Sequence, residues 1–366
     1  MGRALRNCRL RIDTGALRHN LARVREFLSA SGAHSKIMAV IKADGYGHGM
    51  LRVAEALQQA DAFAVATVGE ACHLRAHGVG KPVCVFHGFS ADDDLAQLAR
   101  QGIEPAVHQQ EQLRRLADFR GETLRVWLKL DTGMHRLGLA ASHWQAALER
   151  IAAAPNVELA GVLSHFANAD NPENLYNNRQ LESFLDVKSF YDAPASLANS
   201  AAICALPESH LDWVRPGIML YGASPLQQRS AIDLGLRAVM QFESRLIAIQ
   251  SLRRGDAIGY GGLWHCPEDM TVGVVAAGYG DGYPRHANTG TPVRVNGQSC
   301  RLVGRVSMDS LFVDLRGIDA AVGDAVELWG RHVPVDTVAQ QAGTIAYELL
   351  CRAGSSTAAV VLADGD

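Results

Sequence analysis

Eight short apolar runs recur along the first part of this chain, and no other feature narrows its fold so far. They begin near Ile37, Ala62, Pro82, Glu104, Leu124, Val157, Ala195 and Leu211, with helical stretches between them. Each is rich in Val, Ile, Leu or Ala and apolar throughout, as a parallel strand buried on both faces must be. Eight such units in roughly 220 residues match a (β/α)8 barrel. A doubly wound open sheet shares the alternation, but it usually has fewer repeats and needs no eighth strand. The reading is therefore an α/β chain with an N-terminal (β/α)8 TIM barrel. Leu17, Leu21, Val24 and Leu28 form one stripe of 3.6-residue period, so a helix precedes the first run. Ser142 and Gln145 read as a capping box ahead of the stripe Trp144, Leu148 and Ile151.

Past residue 230 the texture changes to short β-like runs broken by Gly, Pro and Asn, at 242–250, 270–276, 292–295, 299–305, 310–315 and 325–329. Turn signals between short strands indicate a mostly-β module. We divide the chain into a barrel at 10–230 and an all-β domain at 231–366. The N-terminal segment 1–9, whose strand is centred near Arg9–Ile12 and has no barrel neighbour, joins the second.

Charge and cysteine usage remove several function classes. The 35 Lys and Arg nearly balance the 38 Asp and Glu, which leaves no basic excess for tracking nucleic-acid phosphates or an anionic membrane. No apolar run reaches the roughly 18 residues of a membrane span. Arg3, Arg6, Arg9 and Arg11 have no apolar stretch behind them, so no secretory signal is read, and a cytoplasmic location is expected. The seven cysteines form no C-x-x-C pair. Cys72, His73 and His77 share a helical face but lack further ligands, so no metal is expected.

In barrels the chemistry lies on loops at the C-terminal ends of the strands. Lys42 follows the first run, in a segment containing Tyr46 and the glycines Gly45, Gly47 and Gly49. Lys129, Asp131 and Arg136 follow the fifth, Ser164 and His165 the sixth, Asn199 and Ser200 the seventh, and Arg215 and Gly217 the eighth. A lysine closing an apolar strand can be desolvated into a nucleophilic amine, although position alone also fits one that snorkels into water. Barrels often hold phosphate between the last two loops, where Ser200 offers a hydroxyl and Gly217 and Ile218 offer amides. A Schiff-base lysine beside a phosphate cradle is what pyridoxal 5′-phosphate requires.

At this point the chain resembles the bacterial alanine racemases, fold-type III pyridoxal-phosphate enzymes. The similarity runs in order through 39–49, 129–138, 164–166, 199–201, 214–218, 259–261, 278–285, 308–309 and 347–348. It implies an isomerase that interconverts L- and D-alanine, a peptidoglycan precursor, through an external aldimine. Lys42 and Tyr260 would be the catalytic bases on opposite faces of Cα, with Tyr260 supplied by the partner in a homodimer of shared active sites. Lys42, Tyr46, His165, Asn199, Ser200, Arg215, Gly217, Ile218 and Tyr347 would bind the cofactor. Arg215 would face the pyridine nitrogen, and Arg136 and Met308 would bind the substrate carboxylate. Lys129 would be the candidate for carbamylation. Asp170, Tyr279, Arg285 and Arg305 would line the entrance.

Two positions depart from the family pattern: Ser307 precedes Met308 and Asp309, and the tail from Arg352 to Thr357 lacks the usual Arg-Val-Pro-like strand. The competing functions are racemisation of serine or a broader amino-acid set, and a non-catalytic pyridoxal-phosphate carrier. The carrier would need neither Tyr260 nor a β domain. Decarboxylation and aldol cleavage usually want a protonated ring nitrogen, which Arg215 opposes.

Overall fold

Asp13 ends the first strand and starts the first helix. Strand β1 (Arg9–Asp13) stops where the Asp13 carboxylate accepts the Ala16 amide at 2.8 Å, capping the helix Thr14–Ala30. That helix buries Leu17, Leu21, Val24 and Leu28 as its sequence stripe requires. The computed structural model describes residues 8–189, 191–356 and 359–363. Of the N-terminal segment assigned to the β domain, residues 1–7 lie outside the described residues.

Eight parallel strands then close into a barrel: β2 (Lys36–Val40), β3 (Ala62–Val65), β4 (Val83–Val85), β5 (Ile103–Val107), β6 (Leu124–Lys129), β7 (Val157–Leu163), β8 (Ala195–Asn199) and β9 (Trp213–Arg215). Closure is made by β2 against β9, with Lys36 opposite Trp213 and Ile37 opposite Val214. The α/β barrel expected from the eight runs is thus the observed architecture. Its apolar runs lack alternation because the strands are covered by side chains within and helices without.

The remaining strands are β10 (Met240–Leu252), β11 (Ala257–Ile258), β12 (Trp264–His265), β13 (Met270–Val275), β14 (Pro292–Val295), β15 (Gln298–Val303), β16 (Leu311–Asp314), β17 (Ala325–Trp329) and β18 (Ala359–Ala363). All but β11 and β12, which form a separate hairpin, join β1 in an eight-stranded sheet of order β13-β16-β15-β14-β17-β10-β1-β18. β1 runs antiparallel to β10 and parallel to β18. The atypical tail therefore still forms a final strand.

One local expectation is corrected. Ser142 does not cap a helix: 141–143 form a 3-10 turn, and the helix Trp144–Ala153 starts from His143 without a side-chain cap. The capping box forms instead at Thr67 and Glu70, at the head of the helix Val68–Ala76. Among the described residues no helix is long and apolar enough to cross a membrane.

Candidate active site

Lys42 sits immediately beyond β2 in an unusual turn. Ala43, Asp44, Gly45 and Tyr46 all have positive φ (54°, 52°, 62° and 52°), so the backbone makes one left-handed turn. Three of the four carry side chains, and left-handed backbone costs such residues about 1–2 kcal/mol each. The turn is held by Gly45 N–H donating to Ile41 O (2.9 Å), Gly47 N–H to Ala43 O (3.0 Å) and Met50 N–H to the Asp44 carboxylate (2.7 Å). Fully buried His48 lies within hydrogen-bond distance of the Gly45 and Tyr46 carbonyls, at 3.0 and 2.9 Å through Nδ1. Burial lowers the His48 pKa to about 4, so the ring is neutral and Nδ1 is the donor. The Lys42 amine is likewise held below the ordinary lysine range, first by desolvation and then by the Arg136 charge.

Further cations stand at the ends of other barrel strands. Arg215, only 3% exposed, donates to Ser196 Oγ (2.5 Å), to the carbonyls of Ser164 and Leu197, and towards His165 Nδ1 (3.4 Å). Burial brings its pKa down to about 10, which still leaves it charged at neutral pH. His165 is pushed well below the usual histidine range by desolvation and by Arg215, Lys129, Arg136 and Lys42. Lys129, 7% exposed at the end of β6, is lowered to about 7 by burial and then by Arg215 and Arg136. Arg136 is exposed on the loop after β6. Asp131 shapes that loop by accepting the amides of Gly133 and His135, each at 3.0 Å.

Hydroxyl and amide donors gather between the ends of β8 and β9. Asn199 caps the helix Ser200–Ala205 by accepting the Ala202 amide at 3.1 Å, which presents Ser200 at its first position. Ser200 Oγ accepts from Gly217 N–H at 2.7 Å. That amide is therefore turned onto the serine rather than left open, whereas Ile218 opens the 3-10 turn Ile218–Tyr221 and has no acceptor within it. Gly217 is required by close approach: a β-carbon there would stand 2.6 Å from the Tyr46 hydroxyl. Tyr46 stacks on Tyr221 (ring centroids 4.5 Å) and lies 5.8 Å from Tyr347.

The other expected residues form a second group, on the β module. Tyr260 starts the 3-10 turn Tyr260–Gly262 and is 72% exposed, as are Leu263 (65%) and Met308 (55%). Arg305 lies beside this turn, since a β-carbon on Gly261 would meet its guanidinium at 3.6 Å. Tyr279 N–H donates to Ser307 O at 3.1 Å and Gly280 N–H to Met308 O at 2.9 Å, which fixes the two loops together. Arg285 is exposed further along the same loop. Asp170 stands apart from this group; its carboxylate accepts from Gln227 at 2.7 Å, and its charge acts on Tyr347. Among the described residues, Tyr260 makes no hydrogen bond or ring contact with the barrel mouth. Residues overlooked in the sequence include Glu70, Tyr221 and Ser196; only Glu70 had a local signal, the spacing Thr67-x-x-Glu70.

The chain matches two family models, "Alanine racemase, N-terminal domain" over residues 12–225 and "Alanine racemase, C-terminal domain" over residues 239–361. It is 51% identical over 347 residues to an alanine racemase of Nitrosococcus oceani, covering 93% of this chain and 95% of that one. It is 47% identical over 345 residues to one of Vibrio parahaemolyticus, with 93% and 95% covered. The crystal structure of a biosynthetic alanine racemase from Pseudomonas aeruginosa superposes with a TM-score of 0.93 at 40% identity, over 98% of this chain and 100% of that one. The alanine racemase of Acinetobacter baumannii gives 0.91 at 37% identity, with 98% and 100% covered.

Proposed function

The chain belongs to the alanine racemase family, and on that premise we propose how its two groups of side chains interconvert L- and D-alanine with pyridoxal 5′-phosphate. The division carried forward is a barrel at 10–230 that binds the cofactor and a β domain at 231–366 that completes the site of a partner subunit. The observation that carries the reading is the convergence of Lys42, Arg215 and the Tyr46–Ser200–Gly217 cradle at one barrel mouth. These residues fit the cofactor: a desolvated amine for its aldehyde, a buried cation for its ring nitrogen, and hydroxyl and amide donors for its phosphate. The bound cofactor draws electrons from the Cα–H bond of the amino acid joined to it and so makes that proton acidic.

Everything else falls to the protein. Tyr46, Ser200, Ile218 and Tyr347 hold the phosphate, and Asn199 orients Ser200 by capping its helix. Arg215 cannot give up its proton at neutral pH, so it discourages protonation of the ring nitrogen and limits side reactions that need a stronger electron sink. His165 packs beside the ring and receives a hydrogen bond from Arg215. Arg136 grips the substrate carboxylate with its planar fork, aided by the amide of Met308 from the partner subunit.

Inversion needs one base on each face of Cα. Lys42, its proton affinity lowered by burial, serves one face. Tyr260 of the partner subunit serves the other, which suits a phenol that is 72% exposed on a turn that also exposes Leu263 in the single chain. Large apolar groups clustered at one turn are the residues a second copy would cover. Asp170, Tyr279, Arg285 and Arg305 then line the approach. Lys129, with a pKa of about 7, has enough neutral amine to attack carbon dioxide. Its nitrogen bonds the carbon and releases a proton, which replaces a buried cation beside Arg136 by an anion that orients it.

The deciding experiment incubates the protein and pyridoxal 5′-phosphate with L-alanine in heavy water, followed by chiral separation and mass analysis. D-alanine carrying deuterium at Cα is expected. Unchanged L-alanine with cofactor bound would instead support another amino acid as substrate, or the carrier function.

A further inference from the structure

The left-handed turn after Lys42 is fastened to the rest of the barrel through one carboxylate. Glu70 Oε1 accepts Ala43 N–H at 2.7 Å, while Oε2 accepts the amides of Ala66 (2.8 Å) and Thr67 (3.0 Å). Ala43 follows the lysine beyond β2, whereas Ala66 and Thr67 follow β3. Glu70 therefore joins two adjacent strand ends at the barrel mouth. On the other side of Lys42, Ile41 N–H donates to Ala64 O of β3 at 2.9 Å. The backbone is thus anchored to β3 and its loop immediately before and immediately after the lysine.

The charge matters as well as the geometry. The groups that act electrostatically on the Lys42 amine are Arg136, Glu70 and Cys351, and the amine in turn acts on His165. Arg136 favours the neutral amine, and Glu70 and Cys351 favour the charged one. Glu70 is the one carboxylate in that set, and its two oxygens are fixed by amides rather than free to swing.

We propose that Glu70 is a positioning residue for Lys42, aiming the amine by holding the turn and tuning its proton affinity through a fixed negative charge. This rests on Lys42 being the base. A carboxylate bonded by three amides cannot turn away as Arg136 engages a substrate anion, so it gives the lysine a constant reference charge. The capping box at Thr67 supplies the rigidity: the same Glu70 oxygen that meets Ala66 also closes the first turn of the helix Val68–Ala76.

The test compares Glu70→Gln, Glu70→Asp and Lys42→Ala in the cofactor-loaded enzyme, using three readouts. These are the pH profile of kcat/KM, amide hydrogen exchange over residues 41–49, and the thermal midpoint. Glu70→Gln keeps the shape but removes the charge. The acidic limb of its profile should move to lower pH, kcat should fall about ten- to a hundredfold with a smaller change in KM, and exchange over 41–49 should quicken. Glu70→Asp should return the limb towards the wild-type position, because it restores the charge. If both variants lose activity only in step with thermal stability, with the limb unmoved, Glu70 is a structural staple and the proposal falls. Full racemisation by Lys42→Ala would overturn the underlying assignment of the base separately, since exchange over 41–49 reports on the turn whatever Lys42 does.

Discussion

Nη2 of Arg215 lies 3.4 Å from Nδ1 of His165, and because a guanidinium can only donate, that imidazole nitrogen must accept. His165 is thereby fixed as the neutral tautomer protonated at Nε2, in agreement with its strongly lowered pKa. Nitrogen NMR should show this neutral tautomer at neutral pH and still below the ordinary histidine range. Arg215→Lys should release it. A lysine cannot span Ser196, Ser164 and Leu197 together, so buried acceptors are left unpaired at about 1–3 kcal/mol each. Thermal denaturation should show the loss, and the His165 signal should begin to titrate.

Lys129 makes stability depend on pH in a definite direction. Its folded-state pKa of about 7 lies below the ordinary 10.5. Between those values the unfolded chain holds a proton that the folded chain lacks, so stability should rise with pH, by up to about 1.4 kcal/mol per unit. Below about 7 both states bind the proton and this contribution flattens. Denaturant titrations in carbonate-free buffer should show the rise, and Lys129→Met should remove it. Added bicarbonate should stabilise the wild type alone; an equal effect on the variant would exclude a carbamate at this position.

If each active site takes Lys42 from one subunit and Tyr260 from the other, two inactive variants should rescue one another. Lys42→Ala and Tyr260→Phe should each racemise alanine poorly. Co-expressed, they form hybrid dimers with one site carrying both defects and one carrying neither. Random pairing predicts up to about a quarter of wild-type activity. No recovery, with hybrids demonstrated by native mass spectrometry, would mean that both groups act within one chain.

Gly354 packs directly on the lysine loop. A β-carbon on it would stand 2.1 Å from the Gly47 carbonyl oxygen and 2.2 Å from Gly47 Cα. Gly354→Ala must therefore push the helix Ala346–Ser355, which carries Tyr347, away from Tyr46. We expect destabilisation of about 1–3 kcal/mol and weaker cofactor retention, measured by denaturation and by loss of cofactor absorbance on dialysis.

The barrel was legible because burial on two faces leaves a mark in sequence: Ala62–Val65 and Val83–Val85 are wholly apolar and wholly buried. Capping was less legible. Ser142 and Gln145 have the right spacing but precede a 3-10 turn, while the real box at Thr67 and Glu70 heads a helix of weak amphipathic pattern. The handedness after Lys42 had only a weak sequence signal: Asp44 and Gly45 tolerate left-handed backbone, but Ala43 and Tyr46 do not favour it. Tertiary bonds impose it there. Tyr260 and Met308 could be singled out only by resemblance, since nothing local separates them from ordinary exposed turn residues.

The placement of β1 between β10 and β18 governs the order in which the molecule can be completed. Leu10 and Ile12, almost wholly buried in the finished sheet, leave the ribosome ahead of every other strand of that sheet. One neighbour of their strand, β10, is made only after the whole barrel, and the other, β18, follows every other strand among the described residues. The barrel can close as soon as β9 is made, but the sheet can be finished only once β18 has followed. A nascent chain must carry an uncovered apolar strand until then, and that strand is the natural target for a chaperone during synthesis.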